Sequence, residues 1–360
     1  MAISMREIFD EVLGHWGLWQ ASLTPISAGL INLTLRVDSP MGAFILQRLH
    51  PIFRAELHLD IEAITAHLSE AGLPTPRLVR TLKGDLWVEL EEPPEQPGEP
   101  SRLGIWRLQT ALVGRTLTRI ERPALAREAG ALLGRFHRAL QSCEHRFRFT
   151  RQAHGLDLHR RSLEQAIANC GGHRLAEEVL PLAEELYAMV GRRASIEELP
   201  QRITHGDPKI SNVLFAETED RALAWVDLDT LGRLTLPVEL GDALRSWCNP
   251  MGEDGHEPAL DLTLFEAALT GYAREASGFV TSEEKSLLVE GVAQIATELA
   301  CRFAADALSE SYFGYDASRF PGRGEHNLHR ARAQLSLARS VEQRRSEAEA
   351  ALSRAFSAAP

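Results

Sequence analysis

The character of the sequence changes near Val113-Gly114, and this change constrains the fold more than any other feature. Before it, short apolar runs alternate with turns; residues 33–37 and 44–49 flank a Pro/Gly turn and predict an antiparallel pair. After it, apolar residues recur at helical spacing from Pro123 onward. The chain is therefore predicted to be α+β, with a small sheet-rich unit at 1–113 and a larger, mainly helical unit at 114–345.

Three further patterns fill in the smaller unit. Residues 59–71 have apolar side chains at helical spacing and predict a helix, which Gly72 and Pro74 end. Residues 86–90 and 105–108 predict further strands, separated by a loop at 91–100 that is rich in Glu and Pro.

The larger unit is predicted to contain one hairpin, a long helical region and a C-terminal tail. Residues 213–215 and 223–226 surround a polar turn and predict a hairpin. Everything after Glu257 is predicted to be helical, and residues 346–360 form a charged, alanine-rich tail.

Composition limits the partners and the compartment. The formal net charge of −11 makes nucleic acid an unexpected partner, because an acidic chain attracts anionic polymers poorly. The first residues lack the basic-then-apolar pattern of a secretory signal, and no apolar run is long enough to cross a bilayer. The four cysteines have no paired spacing, which favours reduced thiols. We expect a cytoplasmic protein, a monomer or homodimer, with no membrane partner.

The motif with the most chemical content is His205-Gly206-Asp207, followed by Asn212 and, after the hairpin, by Asp227. Phosphoryl transfer to a hydroxyl requires a carboxylate that orients the hydroxyl and takes its proton, together with metal ions on the phosphate oxygens. Asp207 suits the role of base, and Asn212 and Asp227 offer the hard oxygen ligands that Mg²⁺ prefers. The pattern predicts a kinase that uses ATP and Mg²⁺ and phosphorylates a small-molecule hydroxyl.

One nearby residue has a single predicted role, and three others allow more than one interpretation. Lys209 is predicted to neutralise charge on the transferred phosphoryl group. Asp229 fits either a second metal or the end of the hairpin, and Asp242 is more typical of a helix N-cap than of a ligand. Trp247 is typical of packing, with a place in the acceptor pocket as the alternative.

With these residues the chain resembles the aminoglycoside phosphotransferase-like kinases, a branch of the protein-kinase-like fold, and among them the bacterial N-acetylhexosamine 1-kinases. The resembling segments span nearly the whole chain: Ile31-Asn32, residues 44–48, Trp106-Arg107, residues 134–137, 205–212, 227–230 and 241–245, and the C-terminal Arg302-Phe303, Tyr312-Phe313, Asn327-Leu328 and Arg330.

The resemblance implies a bilobal fold with ATP between the lobes. It also implies that Asp207 is the base, that Asn212 and Asp227 bind the metal, and that the nucleotide base lies against residues 110–114. The loop at 27–32, which contains Gly29 and Asn32, would cover the phosphates. A loop with one glycine is equally typical of a hairpin turn.

The residue that binds the α- and β-phosphates stays open between two candidates. Kinases of this fold usually place a Lys, or in some relatives an Arg, on the third strand of the small lobe. This chain has Gln47 in that register and Arg48 on the opposite face of a regular strand. Glu62 is the candidate helix partner of this group, with Asp60 as the alternative.

The acceptor stays open as well. The hexosamine 1-kinases often carry His before the Ile-Asn pair and Asp after it, whereas this chain has Leu30 and Leu33. The first hypothesis is a sugar kinase for a hexose or N-acetylhexosamine, with the anomeric hydroxyl as a candidate position. The alternatives are an amino-alcohol or aminoglycoside kinase, and a pseudokinase that binds nucleotide without turnover.

Overall fold

The computed structural model describes residues 5–26, 32–90, 104–150, 154–196, 198–252 and 254–358. These residues form two compact units. The first comprises Met1–Val113 with Glu144–Thr150, and the second comprises Gly114–Cys143 with Arg151–Pro360. The first is built on a five-stranded sheet and the second mainly on helices, so the predicted α+β class is confirmed.

The described residues of the first unit form two helices and five strands. They are α1 (Met5–Gly14), β1 (Ser22–Pro25), β2 (Leu33–Ser39), β3 (Gly42–Arg48), α2 (Leu57–Glu70), β4 (Val88–Leu90) and β5 (Gly104–Thr110). The strand order is β1-β2-β3-β5-β4, and each neighbouring pair is antiparallel. The predicted β2–β3 hairpin is confirmed, while α1 and β1 were not predicted. The predicted loop at 91–100 and Gly29 lie outside the described residues.

One face of this sheet packs against α1. Leu35, Leu46 and Leu108 are cross-strand neighbours in the register and point to the same face, where Leu46 and Leu108 are fully buried. They join Val12 and Trp16 in a single apolar cluster. The alternation of side chains along each strand therefore leaves Gln47 and its neighbours on the other face.

Asp60 explains why a short distant segment belongs to the first unit. Its Oδ1 accepts hydrogen bonds from His145 Nε2 at 2.7 Å and from the backbone N of Arg148 at 2.8 Å. Its Oδ2 accepts one from the backbone N of Phe149 at 3.0 Å. The buried carboxylate of α2 thus binds the segment Glu144–Thr150, which no motif in the sequence marks.

The second unit contains nine α-helices and four strands within the described ranges. They are α3 (Pro123–Leu140), α4 (Leu156–Asn169), α5 (Ala176–Val190), β6 (Gln201–Thr204), β7 (Val213–Phe215), β8 (Ala222–Trp225), β9 (Gly232–Thr235), α6 (Leu236–Trp247), α7 (Leu262–Ala276), α8 (Ser282–Ser286), α9 (Leu288–Ser309), α10 (Arg323–Gln343) and α11 (Arg345–Ser357). Strands β7 and β8 form the predicted hairpin, and β6 pairs with β9 in a second antiparallel pair that was not predicted. No helix in the described ranges has both the length and the apolar character needed to cross a membrane.

Helices α6 and α9 approach each other through two glycines. A Cβ on Gly241 would lie 2.5 Å from the carbonyl oxygen of Gly291, and one on Gly291 would lie 1.9 Å from that of Pro237. Since both contacts are with backbone atoms, a larger residue at either position would push the helices apart. This close packing fixes α6, which carries several residues of the candidate site.

The residues predicted as a tail are part of the second unit instead. Helix α11 buries Ala348, Ala351 and Leu352, which recur three and four residues apart and face α7. On the outer side, the guanidinium of Arg354 donates to both carboxylate oxygens of Glu266 at 2.9 and 2.6 Å. The prediction of a separate tail was wrong because the charged residues concealed a narrow apolar stripe made largely of alanine.

Candidate active site

The loop at residues 205–212, called here the Asp207 loop, turns sharply at Gly206. This glycine has φ +79°, and a Cβ at its position would lie 2.1 Å from the carbonyl oxygen of Thr230. The hydroxyl of Thr230 donates to the carbonyl oxygen of His205 at 2.9 Å. Both the backbone conformation and the close approach therefore require glycine at position 206.

Glu239 of α6 binds the backbone of the same turn. Its carboxylate oxygens accept hydrogen bonds from the backbone N–H groups of His205 at 2.8 Å and Gly206 at 3.0 Å. Burial alone would raise the pKa of Glu239, but the His137 side chain, 3.6 Å away, and the two amides outweigh burial and lower it. Sequence reasoning missed this residue, although a lone acidic residue in an apolar helix start was a usable signal.

His205 joins the loop to the hairpin. Its Nε2–H donates to the carbonyl oxygen of Val226 at 3.0 Å, and its Nδ1 accepts from the backbone N–H of Asp207 at 3.3 Å. Burial lowers the pKa of His205, which favours this neutral tautomer at neutral pH. The hydrogen bonds of His205 therefore hold the Asp207 loop against the end of the hairpin.

The carboxyl end of α6 also binds the loop. Ser246 Oγ accepts a hydrogen bond from the backbone N–H of Ile210 at 3.0 Å, and Trp247 Nε1 donates to the carbonyl oxygen of Pro208 at 2.9 Å. Trp247 is fully buried. It packs beneath the loop, and its indole has no surface with which to line an acceptor pocket.

Asp242 is not the N-cap that the sequence suggested. Helix α6 begins at Leu236 after the cap residue Thr235, so Asp242 lies in the helix interior. Its Oδ1 accepts hydrogen bonds from Arg245 Nε at 3.0 Å and Nη2 at 2.8 Å. Burial, with a contribution from the nearby Asp207 charge, raises the pKa of Asp242 despite this ion pair.

Asp207 and Lys209 remain partly exposed, whereas His205, Gly206 and Asn212 of the same loop are buried. The Asp207 side chain is 27% exposed, and its Oδ2 accepts hydrogen bonds from Lys209 Nζ at 2.7 Å and from Asn212 Nδ2 at 3.2 Å. Burial alone would raise the pKa of Asp207, but the Lys209 ammonium outweighs it and holds the pKa below its usual value. The carboxylate is therefore ionised at neutral pH and can accept a proton.

A backbone hydrogen bond brings Asn212 close in the fold to the residue before Asp227. The Nδ2 of Asn212 donates to the backbone oxygen of Asp207 at 2.9 Å and to its carboxylate, and its Oδ1 accepts no hydrogen bond from the described residues. The backbone carbonyl oxygen of Asn212 accepts a hydrogen bond from the backbone N–H of Val226 at 2.9 Å. This bond brings the start of β7 beside the end of β8. Asp227, the next residue, has the left-handed φ of +62° that non-glycine residues rarely adopt.

The metal ligands that this chain can offer are few. No group of three or more His, Cys, Asp or Glu side chains is arranged to bind a metal in the described part of the chain. The carboxylate of Asp227 and the amide oxygen of Asn212 suit Mg²⁺, which is commonly bound by one or two protein oxygens together with phosphates and water. Asp229 is buried in the short 3₁₀ turn Leu228–Thr230 that follows.

The candidates for phosphate binding on β3 point in opposite directions. Gln47 Oε1 accepts hydrogen bonds from Arg107 Nε at 3.0 Å, Arg107 Nη2 at 2.7 Å and Gln109 Nε2 at 2.8 Å. The guanidinium of Arg48 lies over the ring of Trp106, 5.8 Å from its centre. The regular strand places the two residues on different faces, as predicted.

The remaining candidates in the first unit have local partners. Glu62 pairs with Arg80 at 3.1 Å, and no contact with Gln47 or Arg48 is present in the described ranges. Asn32 Oδ1 accepts a hydrogen bond from the backbone N–H of His50 at 2.8 Å.

A buried ion pair between Glu298 of α9 and His154 lies next to the Asp207 loop, and the sequence did not indicate it. Glu298 is fully buried and accepts hydrogen bonds from His154 Nδ1 and from the backbone N–H of Gly155, both at 3.0 Å. Burial would lower the pKa of His154, but the Glu298 carboxylate outweighs it and raises the pKa to about 9. The protonated imidazole therefore keeps a hydrogen on Nε2, which lies 3.4 Å from the carbonyl oxygen of Gly206.

This pair predicts a loss of stability at high pH. The pKa of His154 is about 9 in the folded protein and 6.5 in the unfolded chain, so its contribution is complete below pH 6.5 and disappears as the pH rises through 9. The contribution is on the order of 3 kcal/mol. We expect the free energy of unfolding of the wild type to fall between pH 7 and about pH 10 by this amount more than that of His154→Gln. Equal pH dependences in urea titrations would contradict the buried charged pair.

Asp306 shapes the turn that follows α9. Its Oδ1 accepts hydrogen bonds from the backbone N–H groups of Ser311 at 3.0 Å and Tyr312 at 2.8 Å. Its Oδ2 accepts from the backbone N–H of Phe313 and from Asn327 Nδ2, both at 2.8 Å. One buried carboxylate therefore fixes three successive amides of the turn.

Arg302 lies beside this turn without a carboxylate partner among the described residues. Its guanidinium is 5.5 Å from the centre of the Phe313 ring, and its charge opposes the protonation of His154. Because His154 contacts Gly206, Arg302 belongs to the same neighbourhood as the Asp207 loop. Tyr312, on the same turn, has 40% of its surface exposed.

Comparison with protein families gives one match. The model of a family described as phosphotransferase enzyme family matches residues 22–277. This span includes the Asp207 loop, the hairpin and the sheet of the first unit.

Three solved structures of similar fold are kinases. An amicoumacin kinase in complex with AMP-PNP, Ca²⁺ and Ami is 15% identical, with a TM-score of 0.62 and 93% of each chain covered. A microcompartment-associated aminopropanol kinase is 14% identical, with a TM-score of 0.64 and 95% of this chain and 98% of that chain covered. A choline kinase from Cryptosporidium parvum is 13% identical, with a TM-score of 0.56 and coverage of 97% and 99%. These likenesses confirm the predicted protein-kinase-like fold.

Proposed function

The chain belongs to the phosphotransferase enzyme family and is a small-molecule kinase, and on that premise we propose that it transfers the γ-phosphoryl group of ATP to a hydroxyl of a sugar. The observation that carries the proposal is the exposed carboxylate of Asp207, held beside Lys209 and Asn212 on a loop whose backbone Glu239 binds. A hexose or N-acetylhexosamine is the proposed acceptor, and its anomeric hydroxyl is the proposed position.

Asp207 is the proposed base. It accepts a hydrogen bond from the acceptor hydroxyl and takes its proton as the oxygen bonds to the γ-phosphorus. The bond between that phosphorus and the bridging oxygen breaks, so ADP leaves and the phosphorylated acceptor forms. Lys209 lies within hydrogen-bonding distance of Asp207 and places a positive charge where the transferred group gathers negative charge.

Asn212 and Asp227 are the proposed Mg²⁺ ligands, through the amide Oδ1 and the carboxylate. These two residues would hold Mg²⁺, and the bound ion would supply positive charge to the phosphate oxygens of the nucleotide. The orientation of Asn212 supports this role, because both of its amide hydrogen bonds are made by Nδ2 and the oxygen is left available.

Charge near the loop favours a neutral acceptor over a cationic one. Lys209, Arg302 and the protonated His154 contribute positive charge, and Glu298 and Asp242 each already pair with a cation. Asp207 is itself paired with Lys209, so an ammonium group near it would meet a carboxylate whose charge is already partly balanced. A sugar, by contrast, suits polar and charged side chains and an exposed aromatic ring such as that of Tyr312.

The second candidate is an amino alcohol or aminoglycoside as the acceptor. The kinases of similar fold favour it, since their names specify amicoumacin, aminopropanol and choline. The fold alone does not carry a substrate from one protein to another.

An acceptor panel separates these candidates. Purified protein with Mg-ATP should release ADP when offered hexoses or N-acetylhexosamines, and little when offered choline, ethanolamine or aminoglycosides. Turnover with the amines alone would replace the sugar by the second candidate. ATP binding in a calorimeter without phosphate transfer to any member of the panel would instead identify a pseudokinase.

Removing the carboxylate of Asp227 should abolish the dependence of ATP binding on Mg²⁺. In the wild type we expect Mg²⁺ to tighten ATP binding, whereas Asp227→Ala should weaken Mg-ATP binding at least about tenfold and respond little to the metal. Calorimetric titrations with and without Mg²⁺ measure both effects. Asp220→Ala, at the far end of the same hairpin in an ion pair with Arg122, serves as the matched control. A full metal effect in Asp227→Ala would assign the metal to other residues.

A further inference from the structure

Arg48 is the charged residue of β3, and its contacts show which face of the sheet it occupies. Arg48 stacks on Trp106, whose ring makes an edge contact with Phe9 of α1 at 6.1 Å. Arg48 is therefore on the face of the sheet that packs against α1. It takes part in covering the apolar core of this unit.

The opposite face carries a different arrangement. Gln47 is the cross-strand partner of Arg107 on β5, so their side chains point to the same face. The side-chain oxygen Oε1 of Gln47 already accepts three hydrogen bonds, two of them from Arg107. Its Nε2 donates to Thr34 Oγ1 at 3.1 Å. Gln47 thus orients Arg107 and has little hydrogen-bonding capacity left for a ligand.

We propose that Arg107, held by Gln47, is the residue that binds the α- and β-phosphates of the nucleotide. The proposal rests on the proposed function and concerns the nucleotide side of the same reaction. Kinases of this fold use a lysine on the third strand for this contact. Neighbouring strands lie about 4.8 Å apart, so a longer arginine on β5 can place its charge close to where a lysine on β3 would.

Three properties of Arg107 suit this contact. The side chain is fully buried, where electrostatic attraction to a phosphate is stronger than at an exposed position. The side-chain oxygen of Gln47 accepts hydrogen bonds from Arg107 Nε and Nη2 and so fixes the plane of the guanidinium. A guanidinium also presents a planar pair of donors to phosphate oxygens.

Calorimetry with ATP, ADP and adenosine tests the assignment. Arg107→Gln should weaken ATP and ADP binding at least about tenfold and leave adenosine binding unchanged, because only the phosphates contact the guanidinium. The double variant Gln47→Lys with Arg107→Gln moves the cation back to β3 and should restore much of the ADP affinity. Unchanged ATP and ADP affinities in Arg107→Gln would overturn the proposal.

Two further variants complete the test. Arg36→Ala removes an exposed cation from the same face of β2 and should change none of the three affinities. If Arg48→Gln weakens ADP binding and Arg107→Gln does not, the phosphate contact belongs to Arg48 and the proposal is wrong. Where melting curves show that Arg107→Gln does not fold, Arg107→Lys carries the test: weaker ADP with unchanged adenosine binding supports the contact, and two unchanged affinities refute it. Failure of the proposed function is distinct, since the wild type would then phosphorylate none of the sugars, whatever the ADP affinity of Arg107→Gln.

Discussion

Asp207→Asn is expected to lower turnover by about 10²–10⁴-fold while nucleotide binding persists. The amide has nearly the shape of the carboxylate, so the hydrogen bond from Asn212 can survive, but an amide cannot take the proton of the acceptor hydroxyl. The ionic attraction to Lys209, which holds the pKa of Asp207 low, is lost at the same time. Steady-state kinetics and ATP calorimetry on the same preparation measure the two effects.

The control for this variant is Asp38→Asn, an exposed aspartate of the first unit that pairs with Arg36. It should keep both turnover and ATP affinity. Near-normal turnover in Asp207→Asn would show that another group accepts the proton, and it would leave the loop as an acceptor-binding element only.

Gly206→Ala should destabilise the protein by about 3 kcal/mol or more and reduce turnover about 10²-fold. The left-handed φ costs an alanine on the order of 1–2 kcal/mol, and crowding in a packed interior costs a further 1–3 kcal/mol. The added methyl group would meet the backbone oxygen of Thr230 at 2.1 Å, so the turn itself must move. Displacement of a catalytic group by about 1 Å is enough for the expected loss of turnover.

Gly172→Ala is the matched control, because Gly172 has a similar φ of +84° and nothing within 4 Å of its added Cβ. Its free energy of unfolding should fall only by the cost of the left-handed φ, on the order of 1–2 kcal/mol, and its turnover should not change. Chemical denaturation and initial rates compare the two variants. If Gly206→Ala behaves like Gly172→Ala, the close contact with Thr230 is not a constraint on the loop.

The parts of the site that the sequence predicts are those that lie close together in the chain. Asp207, Lys209 and Asn212 fall within one loop, so the residue types and their spacing suffice to place them together. Asp227 follows from the hairpin, because an antiparallel pair returns the chain to its starting point. In each case local geometry links the residues.

The residues that support the Asp207 loop could not be predicted, because they lie far from it in the sequence. Glu239 lies in a helix more than thirty positions after the turn it binds, and His154 and Glu298 are 144 positions apart. No periodicity in a single sequence connects such residues, since their contact depends on how α6 and α9 pack. The contact between Gln47 and Arg107 is of the same kind, because it depends on the register of two strands whose contacting residues are 60 positions apart.

Whether a strand could be predicted depended on its length. The seven-residue strands β2 and β3 alternate long enough to be recognised, and their hairpin was predicted. Strands β6 and β9 have four residues each, too few for a period of two to stand out, and they pair only because the chain folds back between them.

The hydrogen bonds to Asp306 affect how selective the enzyme should be. The turn that carries Tyr312 and Phe313 has its amides fixed before any acceptor arrives, so the conformational entropy of ordering it is lost during folding. In the proposed function, where the acceptor contacts Tyr312, binding incurs no further ordering cost in this turn, but the turn also cannot reshape itself around a poorly fitting molecule. Such rigidity favours a narrow acceptor range over the broad range of an enzyme whose binding loop adapts to each ligand.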